Sequence, residues 1–97
     1  MATYITLLKY TPQGIQAIKE SPARVEALKK TAKAMGAEIK QFYLVLGHYD
    51  AVLISEFPDD ETAAKFALAN ASKGNVSTET LRAFTEREFR SLLSALP

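Results

Sequence analysis

The sequence contains no cysteine and no tryptophan, and it has one histidine, His48. The absence of cysteine excludes disulfide bonds, thiolate metal sites and a cysteine nucleophile. One histidine cannot form a histidine cluster within a single chain. We therefore predict neither a metal site nor a cofactor.

Long apolar runs and an excess of charge of one sign are also missing. No stretch approaches the roughly 18 residues of a membrane span, and Lys9 interrupts the first apolar run before a signal-peptide core develops. Twelve basic and eleven acidic residues leave a net charge of +1, so no global field attracts nucleic acid. We expect a cytoplasmic protein whose partners are neither nucleic acid nor membrane.

The composition is typical of a soluble globular protein, with 47% apolar and 24% charged residues. A chain of 97 residues has the length of one domain, so we predict a single domain over residues 1–97. A chain this short buries only about 60 to 65% of its unfolded surface. Association with a second copy would therefore stabilise it.

Four runs of β-branched, aromatic and aliphatic residues predict strands at residues 2–10, 37–46, 51–57 and 76–84. Between the first two runs, a short helical turn is expected before a longer helix with Ser21 as its N-cap and Gly36 as its end. A second helix is predicted over residues 63–71, after an acidic start. Thr85 and Glu88 indicate a capping box that begins a short terminal helix.

The order βαββαβ followed by a helix predicts an α+β, ferredoxin-like fold: a four-stranded antiparallel sheet with both main helices on one face. The first strand is apolar on both faces, since Ile5 and Leu7 alternate with Tyr4 and Leu8. The bare face of such a sheet needs a cover. We therefore predict a homodimer, or a higher homo-oligomer, that packs sheet against sheet.

Several short motifs together resemble the GYD domain family of bacterial proteins. They are Gly47-His48-Tyr49-Asp50, Thr11-Pro12-Gln13-Gly14, Ser21-Pro22-Ala23-Arg24, Glu56-Phe57-Pro58-Asp59-Asp60 and Gly74-Asn75-Val76. The resemblance implies a dimeric α/β barrel, in which two open sheets enclose a cleft. Relatives in this wider group include haem-degrading and cofactor-free monooxygenases, lactone isomerases and ligand-sensing domains, so the fold does not decide the activity.

Polar residues among the aliphatic positions of the strands are candidates for binding a small molecule in that cleft. The predicted ligand-binding set is Tyr4, Thr6, Leu8, Glu56, Thr80 and Arg82. Arg82 is the candidate anchor for an anionic group, and the alternative is an ion pair between Arg82 and Glu56. The anchor hypothesis fails if Arg82 lies on the helix side of the sheet.

His48 and Tyr49 are the candidate catalytic residues, because imidazole and phenol groups suit proton transfer. Their alternative role is structural, in a turn where glycine adopts positive φ and aspartate bonds backbone amides. Three function hypotheses remain open: a small-ligand-binding module, a cofactor-independent monooxygenase or isomerase, and a structural assembly subunit.

Overall fold

The computed structural model describes all 97 residues, Met1–Pro97. Its four strands are β1 (Ala2–Tyr10), β2 (Glu38–Leu44), β3 (Ala51–Phe57) and β4 (Val76–Ala83). They form one antiparallel sheet in the order β2-β3-β1-β4. The predicted ferredoxin-like arrangement is confirmed, and the first and third strands lie in the centre of the sheet.

The first crossover contains α1 (Pro12–Gln16), a 3₁₀ turn (Ile18–Glu20) and α2 (Ser21–Ala34). The prediction that Ser21 caps α2 is wrong. The cap residue is Glu20, and the Ser21 hydroxyl instead bonds the Tyr10 hydroxyl at 3.3 Å. Gly36 ends the helix with φ of +76°, as predicted, because glycine tolerates this left-handed conformation.

The two later helices are α3 (Asp60–Ala71) and α4 (Glu86–Ser94). Asp59 caps α3 by accepting the Thr62 amide at 2.8 Å, so the helix begins three residues before the predicted apolar run. In α4, Thr85 and Glu88 form the predicted capping box. None of the helices is long and apolar enough to span a membrane.

The core lies between one face of the sheet and the helices α2 and α3. Tyr4 and Phe57 meet edge to face with ring centroids 5.7 Å apart, and Phe57 also contacts Phe66 of α3. Ala32 and Ala63 are buried helix positions, where small side chains let the helices approach these large residues. The opposite face of the sheet carries no helix.

β2 is an edge strand with an irregular pairing to β3. Ile39 lies opposite Ser55, whereas Gln41 lies opposite Ile54. One residue, Lys40, is therefore extra on β2, which makes a β-bulge on an edge of the sheet.

α4 stands apart from the rest of the molecule. None of its residues is buried, and no strand or other helix packs along it. The longest dimension of the chain is 52 Å, against about 30 Å for a nine-residue strand. The terminal helix therefore projects beyond the end of the sheet.

Candidate functional site

Strand register decides which of the predicted ligand-binding residues share a face. Tyr4 lies opposite both Ser55 and Arg82, and Thr6 lies opposite Thr80. The helix-facing set is Tyr4, Thr6, Leu8, Thr80 and Arg82. The predicted placement of these residues in an inter-sheet cleft is therefore corrected, because the helices lie over that side. Only Glu56 of the set lies on the open face.

Tyr4 links the sheet to α3. Its side chain is buried, and its hydroxyl donates to the Asp60 carboxylate in the first turn of that helix. Burial, reinforced by the hydrogen bond and negative charge of Asp60, raises the pKa of Tyr4 to about 12. The phenol therefore keeps its proton and acts as a structural donor.

Arg82 is held by backbone carbonyls of β1 and of its own strand β4, and by an aromatic ring. Its Nη1 atom donates to the carbonyl oxygens of Thr3 and Ala83. Its guanidinium carbon lies 4.4 Å from the Phe84 ring centroid. Glu56 is on the opposite face, so the predicted Arg82–Glu56 ion pair is wrong, and Arg82 does not point into a cleft between sheets.

Thr6 and Thr80 lie next to each other at the helix side of β1 and β4. Their hydroxyl oxygens are 3.3 Å apart, within hydrogen-bond distance. The cavity beside them measures about 10 Å³, which is at the lower limit for one water molecule. These hydroxyls therefore lie within hydrogen-bond distance of each other, and the cavity beside them is too small for an organic ligand.

The turn at residues 47–50 supplies the last contacts of β1. Gly47 has φ of +133°, a conformation that favours glycine. The Asp50 carboxylate accepts the Tyr10 amide at 2.8 Å, and the Asp50 amide donates to the Leu8 carbonyl at 2.8 Å. These contacts fit the alternative role of this motif, in which its glycine and aspartate shape a turn.

Tyr49 extends from that turn onto the open face of the sheet. Its hydroxyl donates to Glu79 at 2.6 Å, and this hydrogen bond is the main reason that the pKa of Tyr49 is raised. Glu79 pairs with Leu7 across the sheet, so Tyr49 reaches across β1 to β4. The ring of His48 stands perpendicular to that of Tyr49 at 5.0 Å. Sequence reasoning missed Glu79, although an acidic residue inside a threonine- and valine-rich strand is a signal.

The open face has an apolar centre between two acidic residues. Five side chains form this centre, and we call them the open-face cluster: Ile5, Leu7, Val52, Ile54 and Leu81. Glu56 and Glu79 lie near opposite ends of the cluster. No helix covers it, and the Tyr49 side chain crosses the face only at its Glu79 end.

A cavity of about 90 Å³ lies on the helix side, between α2 and the sheet. Its walls include Leu8, Leu28 and Phe42, and its polar groups include the paired hydroxyls of Tyr10 and Ser21. The cavity adjoins an open groove of about 440 Å³, which we call the α2 groove. The groove is lined chiefly by Tyr10, Ile18, Pro22, Val25, Phe42 and Leu44.

Comparison with known proteins finds one relative with a similar amino-acid sequence. The "Glutamine synthetase and cystathionine beta-lyase binding protein" of Thermus thermophilus is 36% identical over 84 residues. The alignment covers 86% of this chain and 88% of the relative.

Solved structures share the fold. The crystal structure of TTHA0845 from T. thermophilus has a TM-score of 0.56 and 26% identity, covering 88% of this chain and 95% of that one. The hypothetical protein PHS023 of Pyrococcus horikoshii has a TM-score of 0.55 and 22% identity, covering 89% and 93%. The GYD domain model matches residues 4–93. The chain therefore belongs to the GYD domain family.

Proposed function

We propose that this chain is a non-catalytic protein-binding module that acts as a homodimer. The observation that supports it is the uncovered open-face cluster. From strand spacing and rise, this face covers about 400 Å², which falls in the range where an exposed apolar patch is often an interaction site. A second sheet packed on it would remove the cluster from water.

The T. thermophilus relative supports a protein as the further partner. Its name describes the binding of glutamine synthetase and cystathionine β-lyase. By analogy with that protein, the dimer proposed here docks onto a metabolic enzyme of this kind.

Binding is favoured over catalysis by the surroundings of the two candidate catalytic residues. The Tyr49 hydroxyl already donates to Glu79. His48 is exposed and makes no side-chain hydrogen bond that would orient it as an acid or base. The Tyr49 hydroxyl is therefore engaged in a structural contact, and His48 has no partner that would position it for proton transfer.

The homodimer is tested by replacing Ile54, which lies at the centre of the open face beside Ile5. We expect wild type to be a dimer in light scattering coupled to gel filtration, and Ile54→Glu to be a folded monomer, because a carboxylate would be buried without a counter-charge. Leu68→Glu is the matched control, since Leu68 is an exposed leucine on α3. A wild-type monomer at micromolar concentration contradicts the proposal.

Enzyme binding needs its own experiment. Glutamine synthetase and cystathionine β-lyase from the organism that encodes this chain are purified and immobilised separately. The chain is then passed over each enzyme in a biosensor. We expect saturable binding to at least one enzyme and none to an unrelated enzyme of similar size. Absence of binding to both would remove this part of the proposal and leave the dimer in place.

Small-molecule binding is the second candidate function, and the cavity under α2 favours it. Apolar walls with a hydroxyl pair are typical of ligand sites, although about 90 Å³ admits only a small group. The rest of a ligand would lie in the α2 groove. Thermal-shift screening of small aromatic and acidic compounds tests this, with Val25→Trp as the cavity-filling variant. A stabilising compound whose effect survives that substitution would argue against the cavity.

A further inference from the structure

α4 has an apolar face that nothing in its own chain covers. Phe89, Leu92 and Leu93 follow the spacing i, i+3, i+4, which places them on one side of the helix, and Leu96 comes two residues after its end. Each of these side chains is at least half exposed. A helix of nine residues is too short to be stable in water without tertiary contacts, even with a good cap. It needs a permanent partner.

The α2 groove of the same chain is out of reach. β4 ends at Ala83, opposite Thr3 at the start of β1, whereas the groove begins at Tyr10 at the other end of β1. These two ends are about 23 Å apart along the strand. The connection from β4 to α4 consists of Phe84 and Thr85, which span at most about 7 Å.

We propose that α4 of one copy docks in the α2 groove of a second copy, and that the exchange is reciprocal. This inference rests on the proposed homodimer. Two sheets that pack face to face with their strands reversed place the Tyr10 end of one copy beside the Ala83 end of the other. The groove lies on the helix side of the partner's sheet, about 10 Å beyond the plane of the first sheet, so α4, about 13 Å long, runs past the end of that sheet to reach it. Two-fold symmetry makes both contacts at once.

The area needed for a stable dimer supports the same arrangement. A specific interface buries about 800 Å² per partner, roughly twice what the open face offers. α4 is about 13 Å long and about 10 Å wide, so its apolar face covers about 130 Å². Each copy contributes one such face and one groove, which brings the interface to about 660 Å² per copy.

A second copy fits α4 better than an enzyme partner does. The helix requires a cover whenever the protein is folded, so an enzyme could serve only if it were bound all of that time. A second copy is always present in a homodimer. The groove also offers apolar walls from Val25, Phe42 and Leu44, which match the phenylalanine and leucines of α4.

Two single substitutions test the two sides of this contact, the helix α4 and the α2 groove, one at a time. Leu92→Asp alters the helix and Leu44→Asp alters the groove, and both leucines are exposed within one chain, at 51% and 72%. Leu68→Asp is the control, at a leucine 71% exposed outside both surfaces. We expect Leu92→Asp and Leu44→Asp each to weaken dimerisation at least tenfold in sedimentation equilibrium. The Leu68→Asp control should dimerise as tightly as wild type.

Mixing the two weakened variants tests the exchange itself. A heterodimer of Leu92→Asp and Leu44→Asp retains one contact between an unaltered helix and an unaltered groove. We therefore expect the equimolar mixture to dimerise more tightly than either variant alone. Fluorescent labels of two colours on the two variants measure the heterodimer directly by energy transfer.

The other outcomes overturn the inference in distinguishable ways. A dimeric wild type with an unaffected Leu44→Asp variant would refute the groove as the site and leave the homodimer standing. Weakened variants without complementation in the mixture would refute the reciprocal exchange. A Leu92→Asp variant that dimerises normally but loses enzyme binding would assign α4 to the enzyme. A wild-type monomer would refute both this inference and the proposed function.

Discussion

Replacing Asp50 tests the turn at residues 47–50. The pairing of β3 with β1 begins at Ala51 and Leu8, so the Tyr10 amide lies beyond it and finds its acceptor in the Asp50 carboxylate at 2.8 Å. Hydrogen bonds to charged groups contribute about 1.5 to 3 kcal/mol. Because Asp50 and Tyr10 are half-buried and water reaches them in part, we expect Asp50→Ala to lower the free energy of unfolding by about 1.5 kcal/mol.

The assay is urea unfolding at one fixed protein concentration, because the proposed dimer would have an apparent stability that depends on concentration. The expected loss corresponds to a decrease in Tm of about 6 to 12 °C for a domain of this size. Asp50→Asn keeps an acceptor without the charge, so about half of the loss is expected. Glu61→Ala is the control, since Glu61 makes only an exposed pair with Lys65. A loss below about 0.5 kcal/mol for Asp50→Ala would refute the reasoning.

Three further substitutions test individual contacts. Tyr4→Phe removes the bond to Asp60 and is expected to cost about 1 to 2 kcal/mol in urea unfolding at pH 8. The raised pKa of Tyr4 favours the folded state below pH 10 and this contribution is lost as pH rises through about 12, so wild type should lose more stability than the variant over that interval. Gly14→Ala places a Cβ atom against the Asn75 carbonyl and should cost about 1 to 3 kcal/mol in the same assay; a stable variant would contradict this packing. Thr85→Ala removes the N-cap of α4 and should cost about 1 kcal/mol, seen as lower helical circular dichroism, whereas an unchanged spectrum would show that the cap is dispensable.

The element order was predictable because its signals are local. The capping box of Thr85 and Glu88 needs only four consecutive residues, and Gly36 ends α2 through its own backbone freedom. Ser21 was misassigned for a related reason. Its hydroxyl has two possible partners, and the one it uses, Tyr10, becomes available only when β1 and α2 pack together.

Which face of the sheet packs against the helices was not predictable from β1 alone. Tyr4 and Leu8 alternate with Ile5 and Leu7, so both faces of the strand are apolar and alternation carries no information. The deciding factor is long-range: α2 and α3 present buried alanines, which leave room for a tyrosine ring. Glu79 was missed for the same reason, since its partner Tyr49 lies 30 residues away in the chain.

The bulge in β2 affects which kinds of aggregation are open to this protein. An edge strand with regular unpaired amides and carbonyls is a template for adding strands from other molecules. Here the extra residue breaks that regular spacing and is a lysine, whose charge would have to be desolvated by an incoming strand. Fibril-like growth along the sheet is therefore disfavoured at this edge. We expect a preparation heated below its unfolding transition to keep its sheet content without binding thioflavin, whereas Lys40→Val, which removes the charge, should bind the dye sooner.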